Sequence, residues 1–195
     1  MTLENVKSVL YDVTSDFFKD ATVVWAEQIN TKPELPYVTL KTGGIRKSQF
    51  PIIDGDSRFY NCSTTLEINL YTKGKAVTTG DKVTGNYVNT ATSDLADFFS
   101  FLESDIVVDQ LAMHGLDICL EPPVRDLTGL QNDSKYRYRS MAEATISFSQ
   151  EANGPYGLGG RSIPNSSGGG TSEMANAETD IIEEVEITAR NKGGN

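Results

Sequence analysis

Hydrophobic residues recur at helical spacing in two stretches of the chain, which predicts two amphipathic helices. In the first stretch the repeating residues are Leu3, Val6, Val9, Leu10, Val13 and Phe17. They predict a helix over roughly residues 3–19. The second stretch predicts a helix over 91–103, with a possible start as early as residue 81. Ser104 can then cap a short further helix that ends at His114, with Gly115 as the residue after its end.

Between the helices, alternation of polar and apolar residues predicts strands. The clearest alternation runs from Arg58 to Thr72, with apolar residues at even positions and a polar opposite face. Residues 135–149 alternate in the same way, and shorter runs cover 22–28, 37–42 and 116–120, the last ended by Pro122-Pro123. The order α-β-β-β-α-β-β predicts an α+β fold with one mainly antiparallel sheet covered by helices.

The composition changes abruptly near residue 151. Seven of the 17 residues from Gly154 to Gly170 are glycine, so this stretch has little apolar surface to bury and much conformational entropy to lose. We therefore predict a domain over residues 1–151, a Gly/Ser-rich linker over 152–170 and an acidic C-terminal arm over 171–195. This flexible extension should be cut by protease between Gly154 and Gly170. The arm is either a docking segment that orders on a partner or a disordered acidic tail.

Charge and hydropathy narrow the class of protein. With 27 acidic and 17 basic residues the net charge is −10, which argues against a general nucleic-acid binder because such proteins carry clustered lysine and arginine. The sequence has no apolar run long enough to cross a bilayer, and its first 20 residues lack the features of a signal peptide. We expect a soluble protein made inside the cell, with no membrane partner.

Residues that could support catalysis are few. The single histidine, His114, lies at a predicted helix end, where the helix dipole favours its charge. Cys62 and Cys119 are expected to be small buried hydrophobic residues, and two cysteines cannot form a structural zinc site. Asp54-Gly55-Asp56 lacks the rest of a calcium-binding loop and is interpreted as a turn. We expect no enzyme activity, no catalytic residue, no metal and no cofactor.

Basic side chains cluster on the outer face of the last predicted strand. We call Lys135, Arg137 and Arg139 the basic strip, and Arg58 at the start of the long strand is added to it as a candidate contact residue. One interpretation is a solvated strand face that balances nearby acids. The other is a contact surface for an acidic neighbour, such as a second copy of the chain, because complementary patches orient an interface and head-to-tail contacts can close into a ring.

Four stretches of the chain resemble the tail terminator, or neck terminator, proteins of tailed bacteriophages. They are residues 35–40 (LPYVTL), the strand 59–71, the helix 95–102, and 122–127 (PPVRDL) leading into 136–148. The resemblance covers about residues 1–150 and leaves the linker and the C-terminal arm outside it.

The resemblance implies a structural role in the virion tail or neck, assembled in the host cytoplasm. Family members form six-membered rings that cap the tail tube and end its polymerisation. Each ring then joins a head-side connector protein, and the genome passes through its lumen without sequence-specific binding. No catalytic residue or cofactor is implied. By analogy, the segments 42–58 and 73–81 are expected to contact the tube protein, the connector or the lumen.

Three other functions are compatible with the sequence. The first is a related assembly role, as a head–tail connector, tail-completion or minor tail protein. The second is a small binding or regulatory domain of a bacterial cell, with the C-terminal arm as its partner motif. The third is an unrecognised hydrolase that uses His114.

Overall fold

The computed structural model describes residues 1–28, 33–79, 82–132, 135–153 and 158–160. These residues form three helices, α1 (Leu3–Phe17), α2 (Ala91–Leu102) and α3 (Asp105–Met113). The strands are β1 (Thr22–Trp25), β2 (Tyr37–Thr42), β3 (Arg46–Lys47), β4 (Ile52–Asp54), β5 (Ser57–Thr72), β6 (Lys75–Thr79), β7 (Lys82–Val88), β8 (Leu116–Asp126), β9 (Gly129–Asn132) and β10 (Lys135–Glu151). The predicted linker and C-terminal arm lie almost entirely outside the described residues.

The main sheet has the order β1-β2-β5-β10-β8. Its pairs are antiparallel except for β1 with β2, which run parallel. β3 and β4 pair with the first part of β5, β9 pairs with the start of β10, and β6 and β7 form a separate hairpin. The predicted α+β class with a mainly antiparallel sheet is confirmed.

The two long strands, β5 and β10, form the centre of the sheet. Their apolar and polar residues alternate, and the apolar face is the one that the helices cover. Even-numbered residues of β5 and β10 are buried in one core with apolar residues of all three helices. From β5 these residues are Cys62, Leu66, Ile68 and Leu70, and from β10 they are Ala142, Ala144, Ile146 and Phe148. The helices therefore cover one face of the sheet, and the odd-numbered residues lie on the other, helix-free face.

The helices form where their apolar stripes meet that core. The Thr2 side chain caps α1 by accepting a hydrogen bond from the amide of Asn5, and Val6, Leu10 and Val13 of this helix are buried. Phe98 of α2 is almost completely buried, and its ring lies 5.2 Å from that of Phe17. Two aromatic rings tilted at this separation stabilise the fold by more than the burial of their apolar area alone.

Several predicted boundaries were wrong. The helix proposed to start as early as residue 81 begins at Ala91, because residues 82–88 form strand β7. No strand was predicted over residues 43–57, which contain β3 and β4. The first strand ends at Trp25 and continues as a single 3₁₀ turn, Ala26–Gln28. The strand at 37–42, the two long strands and the end of the short helix at His114 and Gly115 lie within two residues of where the pattern placed them.

Pro122-Pro123 does not end β8, which continues to Asp126. β8 is an edge strand of the main sheet, with β10 on one side only. A proline lacks an amide hydrogen, and at an edge strand this loss disturbs the pairing less than it would in a central strand. The pairing with β10 also shifts register between Met141 and Glu143, opposite the two prolines. An edge position with a local irregularity therefore accommodates both prolines.

Candidate assembly interface

The helix-free face of the sheet places Arg137 and Arg139 beside two tyrosines. Tyr37 of β2 pairs directly with Tyr71 of β5, and Tyr71 pairs with Arg139 of β10. The two tyrosine rings stack with centroids 4.5 Å apart. The guanidinium carbon of Arg137 lies 4.7 Å from the centroid of Tyr71 and 5.4 Å from that of Tyr37. These are cation–π distances, so the arginines lie against the sheet instead of extending into solvent.

Hydrogen bonds hold the same two arginines. Arg139 donates from Nε and Nη2 to the side-chain oxygen of Asn69, at 3.2 and 2.8 Å. Arg137 donates to the Tyr37 hydroxyl, and its Nε is buried without a hydrogen-bond partner among the described residues. Burial raises the pKa of Tyr37 above its ordinary value, and the positive charge of Arg137 opposes this effect. Both guanidinium groups are therefore pre-positioned and half-buried.

Arg58 does not join this cluster. Its position on β5 is 13 residues before Tyr71, the partner of Arg139, and a strand of that length spans on the order of 40 Å. Arg58 pairs with Ile53 of β4 at the opposite end of the sheet, where its carbonyl accepts a hydrogen bond from the amide of Ala152. The side chain of Lys135 lies outside the described residues, although its backbone begins β10 next to β9.

Acidic side chains occupy the middle of the helix-free face. One row across four strands contains Lys41, Glu67, Glu143 and Glu121. Glu143 is partly balanced by Arg125, whose Nη2 lies 3.5 Å from its carboxylate. Arg137 and Arg139 of the basic strip lie on the same face of the sheet as this acidic row, an arrangement that suits contacts between copies of the chain.

A patch of exposed apolar residues lies at the β4 end of the sheet. We call Ile45, Phe50, Ile52 and Ile53 the apolar patch; Phe50 is 80% and Ile53 66% exposed. A signal for this patch was present in the sequence, since large apolar residues recur between the predicted strands 37–42 and 58–72. β4 pairs with β5 on one side only among the described strands, so its outer edge is open.

The β6–β7 hairpin extends at the opposite end of β5. Tyr87 and Val88 are 50% and 55% exposed there, and the Tyr138 hydroxyl donates to the carbonyl oxygen of Tyr87 at 3.1 Å. Gly74 joins β5 to the hairpin with a φ of +76°, a conformation that favours glycine. The molecule thus has an exposed apolar surface at each end of its longest strand pair.

The residues considered for chemistry lie on different elements of the fold. His114 is exposed at the end of α3, and Asp54-Gly55-Asp56 forms the turn between β4 and β5. Cys62 is buried as predicted, but Cys119 is exposed, because it lies at an odd-face position of the edge strand β8. No cluster of potential metal ligands occurs among the residues that the structure describes. Within the same residues, no helix is long and apolar enough to cross a membrane.

Comparison with known proteins identifies the family. A model of the family described as phage neck terminator protein matches residues 8–186. The match includes the linker and most of the C-terminal arm, so the likeness is not limited to the first 150 residues as the sequence suggested. Curated proteins give no match. The chain belongs to the phage neck terminator protein family, and its role is that of a structural protein in the neck or tail of a phage particle.

Proposed function

We propose that this protein forms a ring of six copies, as its family members do, and that the ring caps the phage tail tube. The ring ends polymerisation of the tube and joins it to the head-side connector. Beyond family membership, the observation that carries this proposal is the polarity of the molecule. Apolar residues are exposed at both ends of the β5–β10 pair, at the apolar patch and at Tyr87 and Val88. A protein that joins two partners needs a separate contact surface for each.

The proposed role requires no catalysis and no cofactor. His114→Ala is therefore expected to leave particle assembly unchanged, whereas a hydrolase that uses this histidine would lose its activity. The net charge of −10 suits a channel through which DNA moves without binding, because an acidic wall repels phosphate groups. Assembly is proposed to take place in the host cytoplasm.

Electron microscopy of particles made with the gene interrupted by a stop codon tests the role. We expect filled heads separate from tails of irregular or excessive length, and rescue by the intact gene supplied in trans. Detached tails of normal length would indicate a connector or tail-completion protein instead. Intact infectious particles would contradict both assembly roles.

The contact between copies is proposed to use the basic strip. Arg139→Gln removes the charge and Arg139→Lys keeps it, and both lose the two-atom bond to Asn69. If the charge attracts an acidic neighbour, the lysine variant should rescue particle assembly in the interrupted phage better than the glutamine variant. Equal rescue by two variants of equal free energy of unfolding would mean that the strip is only a solvated strand face.

A further inference from the structure

We propose that the apolar run in the C-terminal arm, residues 181–187, binds to the apolar patch of its own chain in the free protein. The run contains Ile181, Ile182, Val185 and Ile187. The proposed contact places it along the open edge of β4. This inference concerns the protein before assembly and does not depend on ring formation.

The path of the chain favours this occupant. The last strand ends at Glu151, whose carboxylate accepts a hydrogen bond from the Ser57 hydroxyl at 2.9 Å, next to the turn between β4 and β5. The chain then stays in this region, because the amide of Gly159 donates to the carbonyl oxygen of Asn153 at 2.7 Å. The last described residues of the C-terminal extension therefore lie near the turn between β4 and β5.

The stretch between Gly160 and the apolar run has a length that allows the run to reach β4. About 20 residues separate Gly160 from the apolar run, and a Gly/Ser-rich chain of this length has a mean end-to-end distance of about 25 Å. That distance allows the run to reach β4, which lies at the same end of the sheet as the end of β10. A Gly/Ser-rich tether of about 20 residues also gives an effective concentration in the millimolar range, so a weak contact is sufficient.

The open edge of β4 suits an added strand. The exposed amides and carbonyls of an edge strand can form hydrogen bonds with an extended segment. Successive side chains of that segment then lie on opposite faces of the sheet, beside the side chains of the edge strand. On β4, Ile52 lies on the helix-free face beside Phe59, and Ile53 lies on the other face beside Arg58. Both isoleucines are more than half exposed.

The side chains of the C-terminal run alternate in a matching way. In an extended conformation Ile181, Val185 and Ile187 share one face with Glu183, and Ile182, Glu184 and Glu186 share the other. The first set can cover Ile52 and Phe59. The second set brings two carboxylates toward Arg58 and Lys47, while residues 171–188 contain six acids and no lysine or arginine. Apolar and charged groups are thus complementary in a single register.

Hydrogen exchange of the purified full-length protein tests the contact. The triple variant Ile181→Ser, Val185→Ser and Ile187→Ser should make the edge amides of β4, within residues 52–54, exchange about tenfold faster, because a bound strand protects the edge most of the time. The control variant Met174→Ser changes the arm outside the run and should leave these rates unchanged. Unchanged rates in the triple variant would overturn the proposal.

A reciprocal variant and dilution complete the test. Ile52→Ser with Ile53→Ser should increase exchange of residues 181–188 about tenfold, while Ile106→Ser, which alters an exposed residue of α3, should not. Because the contact is within one chain, protection should be the same after a dilution of about 100-fold. Loss of protection on dilution would assign the run to a second copy and overturn the proposal.

Discussion

Arg137 and Arg139 contact aromatic and amide groups of the sheet, and neither forms an ion pair among the described residues. The stacked pair Tyr37 and Tyr71 supports both guanidinium groups, and Asn69 fixes the orientation of one of them. Charge reversal at these positions would therefore remove packing as well as charge. For this reason the lysine and glutamine variants of Arg139 separate the two contributions better than glutamate does.

Replacing Gly74 by alanine is expected to destabilise the domain by about 3 kcal/mol, from left-handed backbone strain and overpacking together. The added Cβ would lie 2.3 Å from the carbonyl oxygen of Val88 and 2.7 Å from the Tyr138 ring. Gly55→Ala is the matched control, because Gly55 also has a positive φ but is surrounded by open space. It should cost only about 1 kcal/mol. Urea denaturation measures the free energy of unfolding of both variants. An equal decrease in the two would contradict the packing described around Gly74.

Tyr37 is expected to make stability depend on pH in the alkaline range. Burial raises its pKa in the folded state, so the folded protein keeps the proton after the unfolded chain has lost it. The free energy of unfolding should therefore fall as the pH rises above about 10 and should be insensitive to this group below that pH. In urea denaturation between pH 8 and 11, Tyr37→Phe should show a shallower fall. An identical slope in both proteins would show that Tyr37 is not the cause.

At the scale of elements, the sequence predicted what depends on local periodicity. The long strands β5 and β10, with their buried even positions, follow directly from alternation, and α1 follows from its apolar stripe. The β6–β7 hairpin was missed because Val83 and Tyr87 also fit the helical stripe that continues into α2. The parallel pairing of β1 with β2 has no local signal, since it depends on how distant segments pack.

The candidate interface was predictable only in part, for the same reason. Alternation placed Arg137 and Arg139 together on one strand face, but their partners Tyr37, Asn69 and Tyr71 lie about 70 to 100 residues away in sequence. Arg58 was added to them as a basic residue at the start of the long predicted strand. The pairing register separates it from them, and local patterns do not determine register over that distance.

The β6–β7 hairpin is expected to contribute to assembly and little to stability. Tyr87→Ser with Val88→Ser removes exposed apolar area at one end of the molecule, so the free energy of unfolding should change by less than about 1 kcal/mol. In phage with the interrupted gene, this variant should restore intact particles poorly. Ile106→Ser, which alters an exposed apolar residue on α3, should restore them fully. Full rescue by the hairpin variant would remove this end from the proposed contacts.

At the scale of the whole molecule, one strand pair separates two apolar surfaces. β5 and β10 span the sheet, with the apolar patch at one end and the hairpin at the other. The helices cover one face, while the other carries Arg137, Arg139 and the acidic row, which we propose for lateral contacts. A ring built from such units would present one type of end to the tail tube and the other to the head side.

The most direct test of this account is a cryo-electron microscopy reconstruction of the neck of the intact phage particle. We predict a closed ring of six copies between the tail tube and the connector, with the apolar patches on one side of the ring and the β6–β7 hairpins on the other. A neck in which this protein is absent from the end of the tube, or does not form a closed ring there, would contradict the account.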